Sequence, residues 1–178
     1  MGYAAILVTV LIASLPKMVV GQCGSVDKNS PGAVREEVNR LFNESLDAME
    51  HTLASGDKAA TWMPPDDSVR QQITCLGPAA APATIELLHT THRSFGHYLA
   101  IRMMGWAGGP EIVPPLSEIL SRTDDLQIGF KREALEALVA APPDKALPVV
   151  ERVLHSESNP ALLKEATHVK ARLMGFGD

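Results

Sequence analysis

Aromatic side chains are scarce in this chain of 178 residues, at 4% of positions, and cysteine occurs only twice. Two cysteines cannot build a disulfide-dense scaffold, so the fold has to rest on an apolar core. No block of Lys or Arg interrupts a composition whose net charge is −5. A nucleic-acid binder carries a basic stripe, so nucleic acid is set aside as a partner. There is no G-x-S-x-G, no glycine-rich phosphate loop, no H-E-x-x-H and no C-x-x-C. Period-two alternation of apolar and polar residues is missing as well, and the prolines are spaced so that they would interrupt strands.

What the chain does have is 46% hydrophobic residues, mostly Ala, Leu, Val and Ile, and 21% charged ones. That balance belongs to a folded domain rather than a disordered one. Ala and Leu are strong helix formers, which points to an all-α fold.

The one long apolar run is Ala4 to Leu15, AAILVTVLIASL. It falls short of the roughly 20 residues that span a bilayer and suits a signal-peptide core of about 7–15. Pro16 follows it, and Val19-Val20-Gly21 supplies short residues for cleavage, leaving Gln22 as the new terminus. No Lys or Arg precedes the run. The expected organisation is a signal peptide over 1–21, a linker over 22–30 and a helical domain over 31–178, in a periplasmic or secreted protein. An uncleaved membrane anchor, the only route to membrane contact, and a buried first helix are the alternatives. Lipidation of Cys23 is disfavoured because Gln22 stands where a small residue is needed. In an oxidising compartment Cys23 and Cys75 can pair; otherwise Cys75 is a small buried hydrophobe and Cys23 a free thiol.

Repetition is the main signal in the remainder. Gly77-Pro78 recurs as Gly109-Pro110, and Pro142-Pro143 follows at a similar distance. Each mark opens a turn, a short apolar helix, a polar turn and a second helix. After Gly109, Ile112, Leu116, Ile119 and Leu120 fall on one helical face, and Ala134, Leu135, Leu138 and Val139 on the next. After Pro143, Leu147, Val150 and Leu154 form a stripe that Val149 and Val153 widen. Asn159-Pro160 then reads as an N-cap followed by a first-turn proline, ahead of Leu162, Ala166, Val169 and Leu173. After Gly77, Ala83, Leu87 and Leu88 would face inward, then Tyr98, Ile101 and Met104. Upstream, a long helix from Ser30-Pro31 to about Ser55 carries Val34, Val38, Leu41, Phe42, Met49 and Leu53. A loop with Trp62 separates it from a helix capped by Asp67. One-sided helices of this kind bury their stripes by stacking.

The segment FKREALEALVA, Phe130 to Ala140, resembles the second helix of HEAT repeats, with an apolar residue and a basic one ahead of Ala-rich positions. Val69-Arg70 through Leu76-Gly77, after Asp66-Asp67, resembles the same helix with one residue fewer. EIVPPLSEIL resembles the family's first helix. The likeness covers residues 31–175 and departs in the second pair, where Ser94-Phe95-Gly96-His97 replaces the usual Asp and basic pair. It implies a short α-solenoid of about four antiparallel helix pairs, a curved stack that binds proteins, and it carries over no catalytic residue.

His89, His92 and His97 lie close in sequence, and His89 and His92 have the i, i+3 spacing that can suit zinc or copper. Solvated turn histidines are the plainer account, and no cofactor is expected. Trp62, beside Met63 and Pro64-Pro65, offers large apolar area in a surface loop and is a candidate partner contact, or else covers the end of the first helix pair. Met103, Met104 and Trp106 read as core, with a Met-rich contact surface as the minor alternative. Glu36-Glu37, Asp66-Asp67 and Asp124-Asp125 are adjacent carboxylates that diverge on a helix or cap one, so they do not form an acid–base pair. The leading expectation is a non-enzymatic module for a protein or peptide partner, with Arg70, Lys131, Arg132 and Lys164 projecting from the starts of the second helices. A ligand-binding or lyase-like helical-repeat protein is the rival, and a structural spacer is the third reading.

Overall fold

The computed structural model describes residues 26–54, 67–122 and 128–176, with the backbone alone at Leu53. The segment expected to be a signal peptide, Cys23, Trp62 and Asp124-Asp125 lie outside them.

The described residues form helices and turns, without a strand. The α-helices are α1 (Pro31–Ala54), α2 (Asp67–Leu76), α3 (Ala81–Thr90), α4 (Ser94–Ala107), α5 (Val113–Ser121), α6 (Ile128–Ala137), α7 (Pro143–Ser156) and α8 (Pro160–Leu173). Short 3₁₀ turns at Gly77–Ala80 and Pro110–Ile112 open α3 and α5, and a third, Leu138–Ala140, closes α6. None of the described helices is long and apolar enough to cross a membrane.

Local chemistry explains the ends. Ser30 Oγ accepts the Ala33 N–H at 3.4 Å at the start of α1. Asn159 Oδ1 accepts from the N–H groups of Ala161 and Leu162 at 2.9 and 3.3 Å, a full N-cap for α8. Asp67 stands inside the first turn of α2, not ahead of it, and pairs with Arg70 at 3.0 Å. Val26, within the expected linker, already packs against the core.

The helices contact one another in two series. α1 meets α3, and α3 meets the Pro110–Ile112 turn that leads into α5, which meets α7; α2 meets α4, α4 meets α6, and α6 meets α8. Sequence neighbours α1 and α2, α3 and α4, α5 and α6, α7 and α8 pack across the two series. One continuous buried cluster runs from Val34 to Leu173. The punctuating turns touch as well. Gly109 donates its N–H to the Ala140 carbonyl at 3.2 Å, and a Cβ added to it would lie 3.1 Å from Pro78 Cβ. Turns about one repeat apart in sequence are therefore stacked in space.

Two expected stripes are rotated. In α7 the buried line is Ala146, Val149, Val150 and Val153, while Leu147 and Leu154 flank it half-buried. In α4 Ile101, Met103 and Met104 are fully buried, but Tyr98 and Trp106 are half-buried. The core of α4 is lined by Leu99, Ala100 and Met103, which leaves positions 98, 102 and 106 on another face.

Candidate functional site

Positions 98, 102 and 106 are spaced i, i+4, i+8, so they stack along one side of α4. The Arg102 guanidinium carbon lies 5.7 Å from the centre of the Tyr98 ring and 5.5 Å from that of Trp106, a cation held against two aromatic faces. From α6, Glu133 Oε1 comes within 3.3 Å of Arg102 Nε, without the alignment of a hydrogen bond. Gly105 permits this approach. A Cβ there would lie 3.0 Å from the Cα of Ala137, so a side chain at position 105 would push α6 away from α4.

The environment of this group shifts two of its ionisations. Burial, then the hydrogen bond and negative charge of Glu133, push Tyr98 up to about 12. Burial also raises the Glu133 carboxyl, although Tyr98 and Arg102 both favour its ionised form. A raised pKa in the folded chain means that stability is present below the unfolded value and is lost as the pH rises through the folded one. For Tyr98 that window runs from 10.0 to about 12. Glu133→Gln is therefore expected to move the tyrosinate titration of Tyr98 down from about 12, stopping short of 10.0 because burial, the larger cause, remains. Absorbance titration in a Tyr3→Phe background reads it directly. An unchanged titration would separate Tyr98 from Glu133.

The polar row continues onto α8. Arg172 reaches Glu136 at 2.6 Å, and Arg132 lies 3.7 Å from Glu165. A hydrogen bond with Glu136, followed by burial, raises the Glu165 carboxyl. Tyr98, Arg132, Glu133, Glu136 and Glu165 border a cavity of about 400 Å³. A wider groove of about 750 Å³ lies toward α2, lined by Arg70, Gln71, Thr74, Cys75 and Trp106. The face of α2, α4, α6 and α8 thus presents fixed aromatic and charged groups for contact. Among the described residues no three His, Cys, Asp or Glu side chains converge as metal ligands.

The residues singled out from the sequence are distributed unevenly. Arg70 and Arg132 are exposed on this face, and Lys164 is exposed on α8. Lys131 does not project there: it is buried, 8% exposed, and its Nζ lies 3.3 Å from Glu157 Oε2. Phe130 and Lys131 occupy consecutive positions about 100° apart on α6, and the lysine is the one turned toward the α7–α8 connection. Cys75, half-buried on α2, is disulfide-bonded; the other cysteine in the sequence, Cys23, is outside the described residues. Trp62 is outside them too. His89 and His97 line a separate cavity of about 240 Å³ with Leu88, Ile101, Ile119 and Phe130, and His92 does not. His97 Nδ1 is already within 3.0 Å of the Arg93 carbonyl.

Sequence reasoning missed Tyr98, Arg102 and Glu133. A signal for the first two existed, since the Tyr-Arg-Trp spacing opposes the Leu99–Met103 face. Glu133 depends on the contact between α4 and α6, which no local pattern encodes. The chain matches no protein-family model, no curated protein and no solved structure.

Proposed function

We propose that this chain is an exported, non-enzymatic HEAT-like repeat protein, a short α-solenoid of four helix pairs, that binds a protein or peptide partner through the face of α2, α4, α6 and α8. The observation that carries the proposal is the Tyr98–Arg102–Trp106 stripe, held in place by Glu133. Tyr, Trp and Arg are the residue types that dominate binding hot spots, and fixing them in advance lowers the ordering cost of association. The solenoid reading is supported by the two series of helix contacts and by the stacking of Pro78, Gly109 and Ala140. Export is supported by the apolar leader and by the disulfide at Cys75, because such bonds persist in oxidising compartments. Cys23 is the partner we assign to it, being the other cysteine of the chain.

A photo-crosslinking residue at position 71, exposed in the groove beside Trp106 on this face, is expected to trap a discrete partner in cells. The same residue at position 152, exposed on α7, is expected to trap none. Equal trapping at both positions, or none at either, would remove the face as a binding surface and leave a spacer.

A further inference from the structure

Charge is segregated between the two helix series. α1, α3, α5 and α7 together carry nine Asp and Glu residues against four Lys and Arg. α2, α4, α6 and α8 carry four against seven, of which buried Lys131 turns to Glu157 and Lys170 to Glu151 of α7, leaving five. A chain that is acidic overall, at −5, therefore has one side on which cations slightly outnumber carboxylates.

The arrangement within that side sharpens this. Three of its carboxylates, Glu133, Glu136 and Glu165, are half-buried and lie beside Arg102, Arg172 and Arg132. The fourth, Asp67, is committed to Arg70. Arg70, Arg132 and Lys164 are exposed. Arg132 engages Glu165 only at 3.7 Å, and Lys164 has no ion pair among the described residues. At Arg132 and Lys164 an approaching molecule thus meets cations before the half-buried carboxylates, whereas Asp67 is exposed beside Arg70.

We propose that the partner presents an acidic peptide segment to this face, with its carboxylates at Arg132 and Lys164 and its backbone across the Tyr98–Trp106 stripe. The proposal rests on the binding role argued above and names the chemistry of the partner. A peptide fits better than a polyphosphate. The cations are few, each arginine has a neighbouring carboxylate, and the rest of the molecule repels a dense line of negative charge. Complementary charge of this kind steers encounter and sets specificity, and it is screened by salt.

The test uses the purified chain with its disulfide intact and three labelled probes of matched length: poly-L-glutamate, poly-L-lysine and single-stranded DNA. Fluorescence anisotropy at low salt is expected to show saturable binding of the glutamate oligomer alone. Arg132→Glu with Lys164→Glu is expected to weaken it roughly tenfold, as is high salt. Arg152→Glu, on the opposite series, is expected to leave it unchanged. Both altered positions are exposed, and a retained helical circular-dichroism spectrum and melting point will verify folding. A preference for poly-L-lysine, equal or tighter binding of DNA, or no binding of poly-L-glutamate overturns the proposal. So does self-association that is lost in the Arg132 and Lys164 variant, because the acidic series of a second copy would then be the occupant. Failure of the glutamate probe while position 71 still traps a partner removes the acidic chemistry and keeps the binding face. Failure of both removes both.

Discussion

Leu135→Ala is expected to destabilise the fold by about 3 kcal/mol, within the usual range for a buried leucine. The side chain is fully buried on α6, and α6 touches α4, α5 and α8. Three helices surround the vacated volume and each is held by other contacts, so the site cannot collapse inward cheaply. In a domain of this size the loss corresponds to a drop in melting temperature of about 6–12 °C. Leu154→Ala supplies the comparison. Leu154 is half-buried on the flank of α7, and its truncation is expected to cost about half as much. Urea denaturation of both variants, followed by circular dichroism with the disulfide intact, tests the difference. Equal losses would mean that α6 is not the centre of the packing.

That comparison also marks where a sequence stops being informative. Helix existence and period were legible because each stripe is local. Val34, Val38, Leu41 and Phe42 on α1, and Leu162, Ala166, Val169 and Leu173 on α8, are all buried as their spacing requires. In α7 the apolar stripe is broad enough to admit two orientations. The neighbouring helices select the one that buries Val149 and Val153 and leaves Leu147 and Leu154 at the edge. Side-chain size alone would have chosen the leucines. Lys131 is a stronger case, because a lysine on a helix is normally solvated. Its burial depends on Glu157, twenty-six positions away, whose carboxyl is held below its usual range chiefly by the Asn159 N–H and also by Lys131.

The candidate site was less legible than the fold for the same reason. Arg70, Arg132 and Lys164 could be placed from helix phase alone, and they are exposed. The group that fixes the face, Tyr98, Arg102 and Glu133, exists because Gly105 lets α4 and α6 approach closely. A glycine in a helix reads locally as a weak point. Only the opposing Ala137 reveals it as a contact.

Gly108→Ala is expected to cost a similar amount, about 3 kcal/mol, by a different route. Gly108 ends α4 at φ 70° and ψ −169°, a conformation almost restricted to glycine. An added Cβ would lie 2.9 Å from the Ala140 carbonyl oxygen. That oxygen cannot retreat freely, because it accepts the Gly109 N–H at 3.2 Å. The substitution therefore combines backbone strain with a clash against the next turn of the stack. Gly77→Ala supplies a comparison without the clash. Gly77 also has a positive φ, 60°, but a Cβ there would meet nothing within 4 Å. Its replacement is expected to cost only about 1 kcal/mol, the conformational part alone. Chemical denaturation of both variants reads the gap of about 2 kcal/mol, which combines the contact with Ala140 and the greater backbone strain at Gly108. If the two alanines cost the same, the contact between Gly108 and Ala140 is loose, and the helix faces alone hold the pairs together.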